Sequence, residues 1–474
     1  MVSKNLAAEL DSGGVIVRKK LRQREIYAYA LPATATYLLV GPTQAVLPGV
    51  YAKYFGLELA VIAAILLYAR MFDGITDFLI GYFSDRHRLN GGQRKHWVLG
   101  GGLLLLLASY FLFSPGANPL PMYFLFWMFC FYLALTLIDI PHLSWGGELS
   151  SDYEVRTRVF NTRVICMYMG YILFAVLPLL PIYTVNEYTP ETLRGMFYLG
   201  SFIMVASLVV TLYYAPNGRA VATKKAISYK DMFTMVAANR PLRHFLLTAL
   251  LSGIGSGMWL GLAYTFADAY LGISDHYPQV IGIALIVGFA IAPVWVKWVT
   301  RTSKVACWFI SQSLYVISLL GTYFFIAPDT PWWWMLIATS VIQAGIVGIA
   351  TVLPAMVGDI ADFGLLKTRL DMSGSCFAAY HFVTKVSYAI GSSLSLFIAG
   401  YYGVDATSTT QSLRAIQGLE FAYLLIPAGL GVLTMGLLLL SPINRHRHAV
   451  IYARLSSLAR RESAGAEGDQ RETS

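Results

Sequence analysis

The 474-residue chain is 57% hydrophobic and 14% aromatic, and 13% of it is charged, about half of the ~25% carried by soluble proteins. With a mean hydropathy of +0.58, it holds more apolar side chain than one water-soluble core can bury, because large cores split into domains rather than grow. A soluble enzyme, a disordered scaffold and a secreted disulfide module are excluded, and an integral membrane protein is expected.

The net charge of +9 and the pI near 9.2 would suggest a nucleic-acid partner in a soluble chain. Here the Lys and Arg residues lie between apolar runs, which marks membrane topology instead, and no nucleic-acid partner is expected. Cys130, Cys166, Cys307 and Cys376 sit inside apolar stretches without CxxC or Cys/His grouping and read as small buried hydrophobes. The first 27 residues are polar and basic and lack the apolar run of a signal peptide, so they read as a cytosolic tail.

A helical span needs about 20 mainly apolar residues. Twelve are predicted, at 28–54, 57–84, 97–116, 119–144, 159–183, 193–215, 243–271, 277–300, 305–327, 331–358, 374–402 and 416–440. Helix is the state expected for each, since a lone strand leaves its backbone unsatisfied in lipid. Pro32, Pro42 and Pro48 predict kinks in the first. The hydrophilic stretch 216–242 divides them six and six, giving halves at 28–215 and 243–440 and a tail at 441–474. Lys53, Arg194 and Arg414 fall on the outer side and Arg70 and Lys385 within spans. All the other Lys and Arg residues fall at the inner side when both termini are cytosolic, a strong positive-inside asymmetry. A 6 + 6 arrangement with a basic central loop resembles the major facilitator fold, two six-helix halves around a midplane cavity. Basic segments in equivalent places, GYFSDRHRLNGGQRK after span 2 and VKWVTRTSK after span 8, support it.

Ionisable residues inside spans are costly and mark function by default. Span 2 reads LLYARMFDGITDFLIGYFSD, with Arg70 one turn before Asp73, and Asp73 and Asp77 sharing a face at i,i+4. Two carboxylates on one face in a low dielectric repel, so the pair would take up a proton or a lone Na⁺. The bland alternative is an Arg70–Asp73 ion pair that locks helices together, which leaves Asp77 without a partner. In span 4, Thr136 and Asp139 lie one turn apart before Pro141. The Thr136 hydroxyl could ligate a hard cation or merely bond back to its own helix. His142 reads as a packed residue. Span 11 buries Lys385 about three turns from its cytosolic end, and an ammonium at that depth calls for a carboxylate across the cavity. Tryptophans and tyrosines, including Trp332, Trp333 and Trp334, read as interfacial anchors.

Five segments in order across the chain resemble the glycoside–pentoside–hexuronide:cation symporters, the family of the melibiose carrier. They are ARMFDGITDFLIGYFSDR, LTLIDIPHLSW, EVRTRVFNTR, GDIADFGLLKTRLDMSG and YHFVTKVSYAIG. The resemblance implies an all-α membrane protein of twelve helices and a coupling-cation site at Asp73, Asp77, Thr136 and the oxygen-bearing Thr76, which would hold Na⁺ or a proton. It implies solute binding by Asp139, Arg163 and Lys385. Tyr37 stands where the melibiose carrier has a sugar-binding aspartate. Leu143 replaces a tryptophan, with Trp145 close by as a substitute. Arg70, Asp85, Arg86, Asp359 and Asp362 are expected to form a structural charge network.

The function expected is cation-coupled symport of a sugar or glycoside by alternating access, in a monomer of the cell membrane contacting lipid and using no cofactor. The alternatives are the same fold carrying a lysolipid or other amphipathic solute, or a non-transporting sensor. No HExxH, Walker loop or Ser/His/Asp set suggests an enzyme.

Overall fold

A computed structural model describes residues 21–116, 119–150, 153–218, 239–328, 330–368, 373–408 and 410–441. Most of the predicted central loop and both tails lie outside them. Among the described residues the regular structure is entirely helical. Eleven helical stretches are long and apolar enough to cross a membrane. The first span completes the twelve in three pieces: α1 (Gln23–Ala30), α2 (Pro32–Ala45) and α3 (Leu47–Phe55).

The breaks in the first span follow its prolines. Pro32 and Pro48 open α2 and α3 at their first two positions, where a missing N–H costs nothing because it has no partner in a helix anyway. Pro42 is accommodated inside α2. α4 (Leu59–Leu89), α5 (Arg94–Phe113), α6 (Pro121–Leu149), α7 (Tyr153–Val176) and α8 (Pro190–Tyr214) complete the first half. The second half comprises α9 (Arg240–Thr265), α10 (Tyr277–Arg301), α11 (Lys304–Phe325), α12 (Trp332–Thr368), α13 (Ser373–Tyr401), α14 (Leu413–Glu420) and α15 (Ile426–Leu439). α12 runs ten residues beyond its predicted apolar span. Its extra turns, DIADFGLLKT, include Ala361, Leu365, Leu366 and Lys367, which favour helix, and continue past the hydrophobic stretch.

Lipid is as apolar as leucine, so helix association in a membrane depends on close packing, and small residues let backbones approach. Gly170 of α7 faces the α2 backbone at Thr34 and Leu38, and Gly257 and Gly391 seat α9 against α13. A side chain at any of the three would collide with main chain rather than with a movable side chain.

The two halves meet along α4 against α13 and α7 against α10. They are tied together most closely at the end of the bundle that carries Lys53. There Lys53 Nζ, on α3, lies 2.8 Å from Asp268 Oδ1 of the second half and 3.5 Å from Glu187 Oε2. Asp268 sits in a π-helical turn, Phe266–Tyr270, that continues α9. Below it Tyr188, Tyr264 and Tyr277 pack edge to face, and the Tyr264 hydroxyl donates to the Tyr188 carbonyl at 3.3 Å. These three tyrosines are fully buried, a departure from the interfacial role expected of aromatics at span ends. Trp333 and Trp334 are exposed and stacked on each other, as anchors would be.

Candidate functional site

α4 brings Asp73 and Asp77 to one face, about 21 Å from its first residue at 1.5 Å per residue, near the middle of the bundle. Facing them from α6 is the Thr136 hydroxyl, 2.9 Å from Asp73 Oδ1 and 3.0 Å from Asp77 Oδ1. One hydroxyl has one proton, so it donates to one carboxylate at a time and leaves a lone pair beside the other. Thr76 is buried but donates to the Asp73 main-chain carbonyl at 3.0 Å, which occupies its proton within its own helix.

Lys385 reaches this pair from the other half. It lies twelve residues into α13, about 18 Å along the axis. Its Nζ is 3.4 Å from Asp73 Oδ2 and also pairs with Asp77 Oδ2. Asp73 is 5% exposed and Asp77 19%, whereas the Lys385 side chain is 44% exposed, so the ammonium enters the pair from an open cavity. The Arg70–Asp73 ion pair that the sequence offered as an alternative is absent among the described residues. The Arg70 guanidinium instead lies over the ring of Tyr132, 4.3 Å from its centroid.

A second cluster adjoins the first. Asp139, one turn along α6 from Thr136, accepts from Arg163 Nη2 at 2.6 Å and from the Tyr37 hydroxyl at 3.3 Å. Arg163 Nε also lies 3.4 Å from His142 Nδ1, and His142 Nε2 is 2.7 Å from the Tyr29 carbonyl. Because guanidinium can only donate, Nδ1 accepts and the ring proton is on Nε2, directed at that carbonyl. His142 is fully buried, so it serves as a packed support for Arg163.

Asp73, Asp77, Thr136, Lys385, Asp139 and Tyr37 line one cavity of about 290 Å³ between the halves, whereas Arg163, His142 and Thr76 stand outside its lining. The first half supplies most of its charge: Arg70, Asp73, Asp77 and Asp139, with Tyr37, Gln44 and Thr136. The second half supplies Lys385, Thr384, Tyr388 and Ser392. Gln44, Thr384, Tyr388 and Ser392 escaped the sequence reading, because a neutral polar residue on a transmembrane helix gives no sign of which way it faces.

Trp145 does not line the cavity. Six residues beyond Asp139 on a helix of 3.6 residues per turn, it is rotated about 240° from that face. It is 1% exposed, donates from Nε1 to the Pro216 carbonyl at 3.1 Å and packs against Tyr29.

Of the five residues expected in a structural charge network, Asp85 and Asp359 form ion pairs, at the end of the bundle opposite Lys53 and with other partners than those expected. Glu148, at the end of α6, accepts from Arg94 Nε at 2.6 Å and Arg88 Nε at 3.0 Å, and Arg94 also pairs with Asp85 at 2.7 Å. Arg86 is not in it. Two positions from Arg88, it points away and approaches the Tyr82 hydroxyl at 3.5 Å. Arg70 is also outside it, several turns back along α4 toward the middle of the bundle. In the second half Asp359 of α12 pairs with Lys304, at the start of α11, at 2.6 Å; the side chain of Asp362 lies outside the described residues. The two clusters are equivalent. In each half the basic residue opening the third span grips an acid near the end of the fourth, so the repeat hinted at in the sequence is present in the side-chain contacts. Arg88, Arg94, Glu148 and Lys304 were missed, since their partners are distant in sequence.

Over residues 28–445 the chain matches the family model described as MFS/sugar transport protein. It is 21% identical over 416 residues to the inner membrane symporter YicJ of Escherichia coli (strain K12), covering 86% of this chain and 89% of that one. It is likewise 21% identical over 446 residues to the glucuronide carrier protein homolog of the same organism, covering 90% and 94%. Among solved structures, the nucleoside transporter NupG superposes with a TM-score of 0.66 at 14% identity, covering 89% of this chain and 99% of that one; at that identity the likeness is one of fold. The chain is a multi-pass membrane protein and a transporter rather than an enzyme, and it belongs to the MFS/sugar transport protein family.

Proposed function

We propose that this protein is a symporter that moves a sugar-sized solute together with one cation, Na⁺ or H⁺, by alternating access. The observation that carries the reading is the Lys385 ammonium held between Asp73 and Asp77 across the two halves. Its neighbours Thr136 Oγ1 and four carboxylate oxygens are hard ligands suited to a small cation or a proton. The likeness to proteins named symporters supports cation coupling.

Lys385 acts as the resident counter-ion in this reading. An arriving cation neutralises one carboxylate charge, weakens the hold on Lys385 and loosens the bridge between the halves. Occluding an uncompensated carboxylate is costly, so the halves rock when the charge in the cavity is balanced. Asp139, Arg163 and Tyr37 form the solute site, where Asp139 accepts from solute hydroxyls and Arg163 holds it in place. The tie from Lys53 to Asp268 closes one mouth. The Arg88–Arg94–Glu148 cluster marks the cytosolic end by the concentration of basic residues there, with both termini on that side. The protein works as a monomer in the cell membrane.

A cavity of about 290 Å³ is at the small end of the ~300–1,000 Å³ typical of small-molecule sites. Its charged lining suits a polyol better than a lysolipid chain. Reconstitution of the purified protein in liposomes, with an imposed Na⁺ or H⁺ gradient and a panel of sugars and lysolipids, tests the reading. Accumulation of a sugar above equilibrium under one gradient supports it. Tight binding without accumulation would instead indicate a sensor.

A further inference from the structure

We infer that the outer face of α4 and α5, at the end of the bundle that carries Arg94 and Glu148, holds an anionic phospholipid with its phosphate on Arg86. The site is separate from the central cavity and does not depend on which solute or cation the protein carries.

A hollow of about 620 Å³ lies there, lined by residues of α4, α5 and α6. Arg86 is nine residues beyond Asp77 on α4, which turns it about 180° away from the face that meets the central cavity. The same nine residues carry it about 14 Å along the axis. Half of the hydrocarbon layer is about 15 Å thick and Asp77 lies near its middle, so Arg86 stands at headgroup depth. The lining is polar at that depth, where Arg86, Asn90 and His96 are exposed, and apolar further in. Gly100 and Gly101 follow His96 by four and five residues on α5, about 6–8 Å deeper, and join Leu137 and Phe83 there. A side chain added at Gly100 would meet nothing within 4 Å, so that part of the hollow is open.

Charge decides what fits. Among the described residues Arg86 makes no ion pair, and its contact with the Tyr82 hydroxyl is long, at 3.5 Å. The acids of this end are already engaged, Asp85 with Arg94 and Glu148 with both Arg88 and Arg94, and no Asp or Glu lines the hollow. His87 Nδ1 accepts from Trp97 Nε1 at 2.9 Å; since indole only donates, the neutral ring carries its proton on Nε2 and adds a donor. A guanidinium fork matches a phosphate diester, and basic pockets between transmembrane helices take acidic headgroups. A zwitterionic headgroup would bring an ammonium with no carboxylate to meet it, so an anionic one such as phosphatidylglycerol is favoured. Its acyl chain lies against Gly100, Gly101 and Leu137, a surface that a water-soluble phosphate would leave uncovered.

The test is native mass spectrometry of the full-length protein in detergent, titrated with phosphatidylglycerol and phosphatidylethanolamine of identical acyl chains. The first phosphatidylglycerol should bind at least ten-fold more tightly than the first phosphatidylethanolamine. Arg86→Gln should abolish most of that preference. Gly100→Leu, which fills the inner part and leaves Arg86 in place, should weaken both lipids several-fold. Arg243→Gln, the loss of an exposed arginine at the same end of the second half, should leave the preference unchanged. Equal binding of the two lipids, or a preference that survives Arg86→Gln, would overturn the inference. An equal loss in Arg243→Gln would also overturn it, by showing attraction to diffuse surface charge. Displacement of phosphatidylglycerol by glycerol 3-phosphate at equal concentration would make this a site for a soluble phosphate and overturn the lipid assignment.

Discussion

Lys385 Nζ on α13 lies 3.4 Å from Asp73 Oδ2 on α4, and this contact joins residues 312 positions apart in the two halves of the molecule. Its partner Asp77 completes a bridge near the midplane. Lys385→Ala should abolish gradient-driven accumulation and destabilise the protein by about 1–3 kcal/mol, between the values for an exposed pair and a fully buried one because Lys385 is partly open to the cavity. Lys385→Ala/Asp77→Asn should regain part of that stability, because removing both charges costs less than stranding one. Thermal unfolding in detergent measures both; a double variant less stable than the single one would show that the two side chains do not act as a pair.

Asp139 is the shared acceptor of Arg163 and Tyr37. Asp139→Ala should weaken solute binding by about 10- to 100-fold, the equivalent of a charge-assisted hydrogen bond worth roughly 1.5–3 kcal/mol, with cation affinity little changed. Isothermal titration with solute and with cation separates the effects. A fall in cation affinity alone would place Asp139 in the cation site.

Much of this architecture could be read from the chain before any coordinates. Apolar runs of some 20 residues are long enough that composition alone locates them, and an ammonium or a pair of carboxylates inside such a run advertises itself by its cost. Asp73, Asp77 and Lys385 were legible for that reason, and the demand of Lys385 for a distant carboxylate gave even its direction. The face of a helix is harder to read. Trp145 was assigned to the cavity by nearness in sequence, and the phase of α6 turns it away. Arg86 and Arg88 differ in the same way: two positions apart on one helix, Arg88 faces Glu148 and Arg86 faces Tyr82. The Tyr188–Tyr264–Tyr277 packing was invisible because aromatic residues near span ends usually face the interface, and only the apposition of the halves buries these three.

Trp145 supplies a negative control. Trp145→Phe removes the hydrogen bond to the Pro216 carbonyl and should cost about 1 kcal/mol of stability, with no change in apparent solute affinity. Transport kinetics and a thermal shift together check this, and a raised KM without loss of stability would return Trp145 to the solute site.

The tie between Lys53 and Asp268 should hold one mouth closed. Asp268→Asn should raise, several-fold, the labelling rate of a cysteine placed at Val40 in a background lacking the four native cysteines, using a thiol reagent that cannot cross the membrane, added on the Lys53 side. The charge swap Lys53→Asp/Asp268→Lys should bring the rate back toward that of the parent. A rate unmoved by Asp268→Asn would mean that the tyrosine cluster alone seals that end.

The central claim is that the carboxylate pair of α4 is where the coupling cation acts. Its most direct test is solute accumulation by liposomes holding the wild-type protein, Asp73→Asn or Asp77→Asn, each under an imposed Na⁺ gradient and, separately, an H⁺ gradient. The account predicts uphill accumulation by the wild type under at least one gradient, and its loss in both variants while solute binding persists. Wild-type gradient dependence in both variants would contradict it.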